Sequence, residues 1–99
     1  MTELEQLQAS AGQAATLLKA MSNPRRLLIL CTLCGAPGTS AGELARTTGL
    51  SPSATSQHLA RMREEGLIDS TREAQRILYF IKNDAVLQLI STLKTLYCP

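Results

Sequence analysis

The sequence predicts a mostly α-helical domain with one small β-hairpin, arranged as a winged helix-turn-helix. The 99 residues are 44% hydrophobic but include only two tyrosines, one phenylalanine and no tryptophan, so aliphatic packing must supply the core, which favours helices. Two short helical patterns flank the glycine-containing segment 48–50, and a β-rich hairpin pattern follows them directly. The length suits one domain, residues 1–99.

An apolar stripe near the start of the chain predicts the first helix. Asn23 then suits an N-cap and Pro24 a first helical turn, so a second, strongly apolar helix is expected from Arg25 to Leu33, ending at the glycines and proline of 35–38. The stripe recurs at spacings of three and four and consists of Leu4, Leu7, Ala11, Ala14, Leu18 and Met21.

The middle of the chain predicts the helix-turn-helix and the wing. Ser40 and Glu43 fit a capping box that opens a short helix over about 41–47. After the break at 48–50, Ser51-Pro52 opens another helix that ends at Gly66. The helix-turn-helix is expected over about 40–66. The wing should follow over about 67–82, with strands at 67–71 and 76–81 and a turn around 73–75. Asn83 is expected to cap the last helix, which covers about 83–99.

The second helix of this pair has two different faces. On a helical wheel with 100° per residue, Thr55, Leu59 and Met62 fall together and are predicted to face the core. Small hydroxyls, one amide and basic groups form the opposite face. Its residues are Ser53, Gln57 and Ala60 at the centre, Ser56 and Arg61 beside them, and His58 at the margin.

This outward face is predicted to bind double-stranded DNA. Its small side chains permit close approach to a major groove, where Gln57 can pair with adenine and Ser or Arg can reach phosphate or guanine. Arg72 and Arg76 lie on the hairpin, where a wing can straddle backbone phosphates. A solvated surface helix is the alternative for the face by itself, and His58 alone is equally consistent with a structural hydrogen bond.

The charge, histidine and cysteine contents of the chain argue against several other classes of protein. The net charge of +2 does not by itself indicate a nucleic-acid surface. The acidic start lacks the features of a signal peptide and no apolar run reaches membrane-spanning length, so a cytoplasmic protein without membrane contact is expected. A single histidine argues against a His-based metal site. Cys31 and Cys34 lack the βαβ context of a thioredoxin-like enzyme, and Cys31 alone also suits a small buried hydrophobe.

Three segments of the chain resemble the ArsR family of small dimeric winged-helix repressors: KAMSNPRRLLILCTL, ELARTTGLSPSATSQHLARMREEGLI and AQRILYFI. The resemblance covers essentially the whole chain and is greatest to the metal-independent, thiol-sensing branch. It implies a homodimer through the first and last helices, about 1–22 and 83–99, that reads an inverted-repeat operator. Residues 40–47 contain no thiol and residues 84–97 no His or Glu, unlike the metal-sensing members.

The resemblance also implies a redox-sensing pair. Cys31 and Cys98 match the two cysteines of the thiol-sensing branch, whereas Cys34 has no counterpart there. One thiolate would attack a persulfide or oxidant, and the second thiol would close a disulfide or sulfur-bridged link that alters operator affinity. The expected protein is a DNA-binding repressor, not an enzyme, without a resident cofactor or metal. The alternatives are a metal- or haem-responsive repressor, an interaction module without DNA binding, and a thiol oxidoreductase.

Overall fold

The computed structural model of the chain describes residues 1–98. None of the helices in this part of the chain combines the length and apolar character needed to cross a membrane. The elements follow in the order α1 (Glu3–Met21), α2 (Pro24–Gly35), β1 (Thr39–Ser40), α3 (Ala41–Thr48), α4 (Pro52–Glu64), β2 (Ile68–Glu73), β3 (Arg76–Ile81) and α5 (Asp84–Tyr97).

The predicted helix starts are formed by local hydrogen bonds. Asn23 Oδ1 accepts from the first two backbone N–H groups after Pro24, at 2.9 and 3.2 Å. The Ser40 hydroxyl and the Glu43 carboxylate close the capping box of α3. Gly49 ends α3 with φ 75°, a left-handed conformation that glycine adopts without strain. These short-range interactions set the turn between α3 and α4.

A three-stranded antiparallel sheet in the order β1-β3-β2 forms the wing. The pairing of β2 with β3 runs from Ile68 opposite Ile81 to Glu73 opposite Arg76, so β2 extends two residues beyond the predicted 67–71 and the turn is only Ala74 and Gln75. The strand β1 was not predicted, because two residues are too few to show an alternating pattern. It pairs with the middle of β3.

The core lies where α2, α3, α4 and α5 meet the sheet. The predicted inward face of α4 is confirmed, since Thr55, Leu59 and Met62 are at most 1% exposed. The Thr55 hydroxyl donates to the Ser51 carbonyl at 2.9 Å, which satisfies this buried polar group. The other core side chains are aliphatic and come from several elements: Met21, Ile29, Leu30, Leu33, Leu44, Leu67, Ile68, Val86 and Ile90.

Most of α1 projects away from this core. Residues 1–16 are all exposed, and in the last turns of α1 only Met21 is buried, with Leu17 and Ala20 partly buried. The radius of gyration is 14.9 Å, whereas a compact chain of this length has about 12.6 Å. The predicted stripe on α1 therefore exists but does not pack within its own chain, with Leu4, Leu7 and Leu18 53–66% exposed.

Candidate DNA-binding face and cysteine cluster

The structure brings the predicted α4 residues together on one outward surface. Because Thr55, Leu59 and Met62 hold the other side of the helix in the core, the polar side chains have to point away from it. His58 is half-buried at the margin of this surface. Ser53, Ser56, Gln57, Ala60 and Arg61 are all exposed.

The two wing arginines are in different environments. Arg72 is exposed, and its Nε donates to the Ala74 carbonyl at 3.3 Å within the hairpin turn. Arg76 is ion-paired with Glu43 of α3. Hydrogen bonds from Ser40 and, less strongly, the charge of Arg76 lower the pKa of the Glu43 carboxyl. Arg72 is therefore free to reach outward, whereas Arg76 fastens the wing to α3.

Arg26 is a buried residue that the sequence analysis did not single out. Its Nη1 donates to the Ala20 carbonyl at 2.7 Å and pairs with Glu65 Oε2 at 3.1 Å, with the Arg26 side chain 11% exposed. It thereby connects the end of α1 to the end of α4. The sequence carried a signal for this, because position 26 lies on the same helical face as the buried Ile29, Leu30 and Leu33.

The cysteines gather where the end of α2 meets the end of α5. Cys31 and Cys34 are partly buried against the core, and Cys98 is exposed. Lys94 crosses between the helices, since its Nζ would lie 3.2 Å from a Cβ placed on Gly35. The Cys98 N–H donates to the Lys94 carbonyl at 2.8 Å and ends α5.

Electrostatics show that these thiols share one neighbourhood. Burial raises the pKa of the Cys31 thiol, the charge of Lys94 opposes that rise, and Cys98 and Cys34 raise it further. Cys31 therefore lies close enough to both other thiols for their charges to act on it. Cys34 lies three residues after Cys31 on α2, so the spacing alone brings these two thiols to one side of the helix. Across residues 1–98, no three His, Cys, Asp or Glu side chains are placed to hold a metal ion.

A glycine-turned helix pair, a paired wing and an exposed polar face on the second helix define a winged helix-turn-helix DNA-binding protein. A family model described as "Bacterial regulatory protein, arsR family" matches residues 23–70. The HTH-type transcriptional regulator YgaV of Escherichia coli (strain K12) is 78% identical over 99 residues, 100% of both chains. The chain belongs to the ArsR family of DNA-binding bacterial transcription regulators.

Two further relatives agree with this assignment. The transcriptional activator HlyU of Vibrio cholerae is 43% identical over 96% of this chain and 87% of its own length. The crystal structure of the transcriptional repressor BigR from Xylella fastidiosa matches with a TM-score of 0.87 at 34% identity, covering 95% of this chain and 92% of that one. The predicted family and winged-helix fold are confirmed, and the chain is a regulator rather than an enzyme.

Proposed function

We propose that this chain is a homodimeric repressor whose affinity for an inverted-repeat operator is switched by Cys31 and Cys98. Persulfides or other thiol oxidants would be the inducer. The observation that carries the proposal is the packing of α2 against α5, in which the charges of Lys94 and Cys98 at the end of α5 act on Cys31 of α2. A covalent link there would join two helices that the reduced protein holds together only by non-covalent packing.

Dimerisation is supported by the exposed apolar surface of the terminal helices. Most of the stability of a protein helix comes from tertiary packing of its apolar face, and the 19-residue α1 has almost no such packing within residues 1–98. An apolar recess of about 310 Å³ between α1, α2 and α5 continues this surface and is lined mainly by Leu18, Met21, Leu27, Leu89 and Leu93. Leu96 and Tyr97 at the end of α5 are 66% and 79% exposed. A second copy of the chain would cover these side chains.

In such a dimer, two copies of α4 would enter successive major grooves about 34 Å apart. Gln57 stands at the centre of the exposed face and is the side chain best placed for base contact. Ser53, Ser56 and Arg61 surround it and would contact phosphates or guanine, while Arg72 would reach the backbone from the wing. Arg76 would contact DNA only after leaving Glu43.

The switch chemistry follows from the two thiols. The Cys31 thiolate attacks the outer (sulfane) sulfur of a persulfide donor. That sulfur is transferred, so Cys31 becomes a persulfide, and the remainder of the donor leaves as a thiol. The Cys98 thiolate then attacks the Cys31 sulfur, and hydrogen sulfide leaves as the disulfide forms. The donor's sulfane sulfur is the two-electron oxidant. A bridge that retains extra sulfur would differ in mass by whole sulfur atoms.

The link can act on DNA binding through α2. This helix carries Cys31 near its C-terminal end and Arg26 near its start, where Arg26 holds Glu65 at the end of α4. A displacement of α2 relative to α5 would therefore move the recognition helices of a dimer out of register. An allosteric coupling of about 1–3 kcal/mol, 5- to 150-fold in affinity, would be enough.

The test compares operator affinity before and after persulfide treatment in the wild type and in single serine variants. We expect treatment to weaken binding in the wild type and in Cys34→Ser, which is the matched control, but not in Cys31→Ser or Cys98→Ser. Intact mass identifies the product. If either of those two variants responds as the wild type does, the dithiol switch is refuted. Transcription from the operator with reduced protein separates repression from activation.

A further inference from the structure

We propose that Arg25, His58 and Arg61 form a binding site for one phosphate of the DNA backbone, beside the base-reading face of α4. The site would add a contact from the start of α2 to those expected from α4 and the wing. This inference rests on the DNA binding proposed above and specifies how the chain is oriented on the duplex. Arg25 was not among the residues that the sequence analysis assigned to DNA.

The geometry is an open concavity between two helices. It has a volume of about 560 Å³, ample for a phosphodiester group, and opens next to Gln57. The start of α2 forms one wall through Asn23 and Arg26, and the outward side of α4 forms the other through Gln57, His58, Ala60 and Arg61. A strand whose bases face Gln57 has its backbone beside this concavity.

The charges around the concavity favour an anion. Arg25 and Arg61 are exposed, and neither is ion-paired with a carboxylate within residues 1–98. Arg26 already binds Glu65 and the Ala20 carbonyl, so its positive charge is compensated within the protein. His58 and Arg61 line the concavity, Arg25 precedes its lining residue Arg26 in the chain, and the charges of both exposed arginines act on His58 without a compensating negative charge. A phosphate would provide it.

The site depends on side chains and not on the amides at the start of α2. The backbone N–H groups of Arg25 and Arg26 already donate to Asn23 Oδ1. The His58 side chain makes no hydrogen bond to another residue in the described part of the chain, so its ring nitrogens are available to a ligand. Arg61 and His58 in the lining, together with Arg25 next to the lining residue Arg26, are therefore the proposed donors.

Protonation of His58 gives the site a second signature. Burial, followed by the charges of Arg26, Arg25 and Arg61, lowers the pKa of His58 in the free protein. The groups whose charges act on His58 are all guanidinium groups, and one of them, Arg26, is paired with Glu65. A bound phosphate would raise the His58 pKa, so binding would take up a proton. Affinity for DNA would increase as the pH falls through the pKa that His58 has in the complex, and this increase would be lost as the pH rises again.

The first test measures the salt dependence of operator binding for the wild type, Arg25→Ala and Lys82→Ala. Lys82 is an exposed residue after β3 and lies outside the concavity. Lys82→Ala therefore removes one positive charge, as Arg25→Ala does, but at a different place. One phosphate contact per protomer lowers the salt slope of a dimer by about 1.8, so between 50 and 200 mM salt the wild type should lose about 12-fold more affinity than Arg25→Ala. Lys82→Ala should keep the wild-type slope.

An unchanged slope in Arg25→Ala, or an equal decrease in both variants, overturns the proposal. Arg25 is exposed and its side chain makes no hydrogen bond in residues 1–98, so folding of this variant should be unaffected, as circular dichroism can verify. If the wild type itself fails to bind duplex DNA, the proposed function is refuted as well. Failure of the phosphate site alone would leave wild-type DNA binding intact.

The second test varies pH at constant ionic strength. Wild-type affinity should rise between pH 8 and pH 5.5, and His58→Gln should remove that rise, because His58 is the only histidine in the chain. An equal rise in both proteins contradicts the participation of His58. Inorganic phosphate should compete with DNA more effectively for the wild type than for Arg25→Ala at matched ionic strength, and equal competition counts against a phosphate site.

Discussion

Replacing Leu7 by alanine tests whether the exposed stripe of α1 is a dimer interface. Leu7 is 66% exposed in the single chain, and full burial of a leucine side chain contributes about 1.5–3 kcal/mol. Covering the exposed part should therefore contribute about 1–2 kcal/mol for each copy and about 2–4 kcal/mol for the two copies in a dimer. Because about 1.4 kcal/mol corresponds to a tenfold change in a dissociation constant, Leu7→Ala should weaken dimerisation by about 30-fold or more.

Sedimentation equilibrium over a range of protein concentrations measures this change directly. Gln6→Ala is the matched control, since Gln6 lies on the same exposed helix but off the apolar stripe. Operator affinity of Leu7→Ala should fall at low protein concentration and recover at high concentration, because the proposed DNA-binding form is the dimer. A dimerisation constant unchanged by Leu7→Ala, or changed equally by both substitutions, would refute the reasoning.

Three further substitutions probe local features of the fold. Lys94→Met should raise the pKa of the Cys31 thiol further and slow its alkylation at neutral pH, measured with the other two cysteines changed to serine; an unchanged pH–rate profile would contradict the role of Lys94. Arg26→Met should lower the free energy of unfolding by about 1–3 kcal/mol, because the part-buried Ala20 carbonyl loses its donor while the part-exposed Glu65 can be solvated; chemical denaturation measures this free energy, and no loss would exclude a structural link. Ala74→Gly should raise the same free energy by up to about 1 kcal/mol, because φ at this position is 57°; a decrease would show that the turn is not strained.

Local sequence signals predicted the helical part of the fold well. Asn23, Ser40 and Ser51 all accept backbone hydrogen bonds at the helix starts where they were expected. Capping depends on a few residues adjacent in the chain, so no knowledge of the tertiary fold is needed to recognise it. The separation of the two faces of α4 was also correct, because a helix fixes the direction of its side chains by spacing alone.

Interactions between residues far apart in the chain could not be predicted from the sequence. The ion pair of Arg76 with Glu43 joins residues 33 apart, and that of Arg26 with Glu65 joins residues 39 apart. A charged side chain can satisfy its charge in many ways, so composition does not choose the partner. The strand β1 likewise exists only because β3 is beside it. The effect of Cys98 on Cys31 depends on how α2 packs against α5, whereas Cys34 is near Cys31 because the two are three residues apart on one helix.

By itself, the sequence determined where the helices begin and end, which side of α4 is polar, and that a winged helix-turn-helix would result. Periodicity and capping encode these features over a few residues, so they survive without tertiary context. Only the tertiary structure decided that most of the α1 stripe lacks a partner within residues 1–98, that the charge of Cys98 acts on Cys31 of α2, and that the start of α2 and the outward side of α4 enclose a concavity lined by His58 and Arg61. Those outcomes depend on the packing of elements distant in sequence, which a local pattern does not specify.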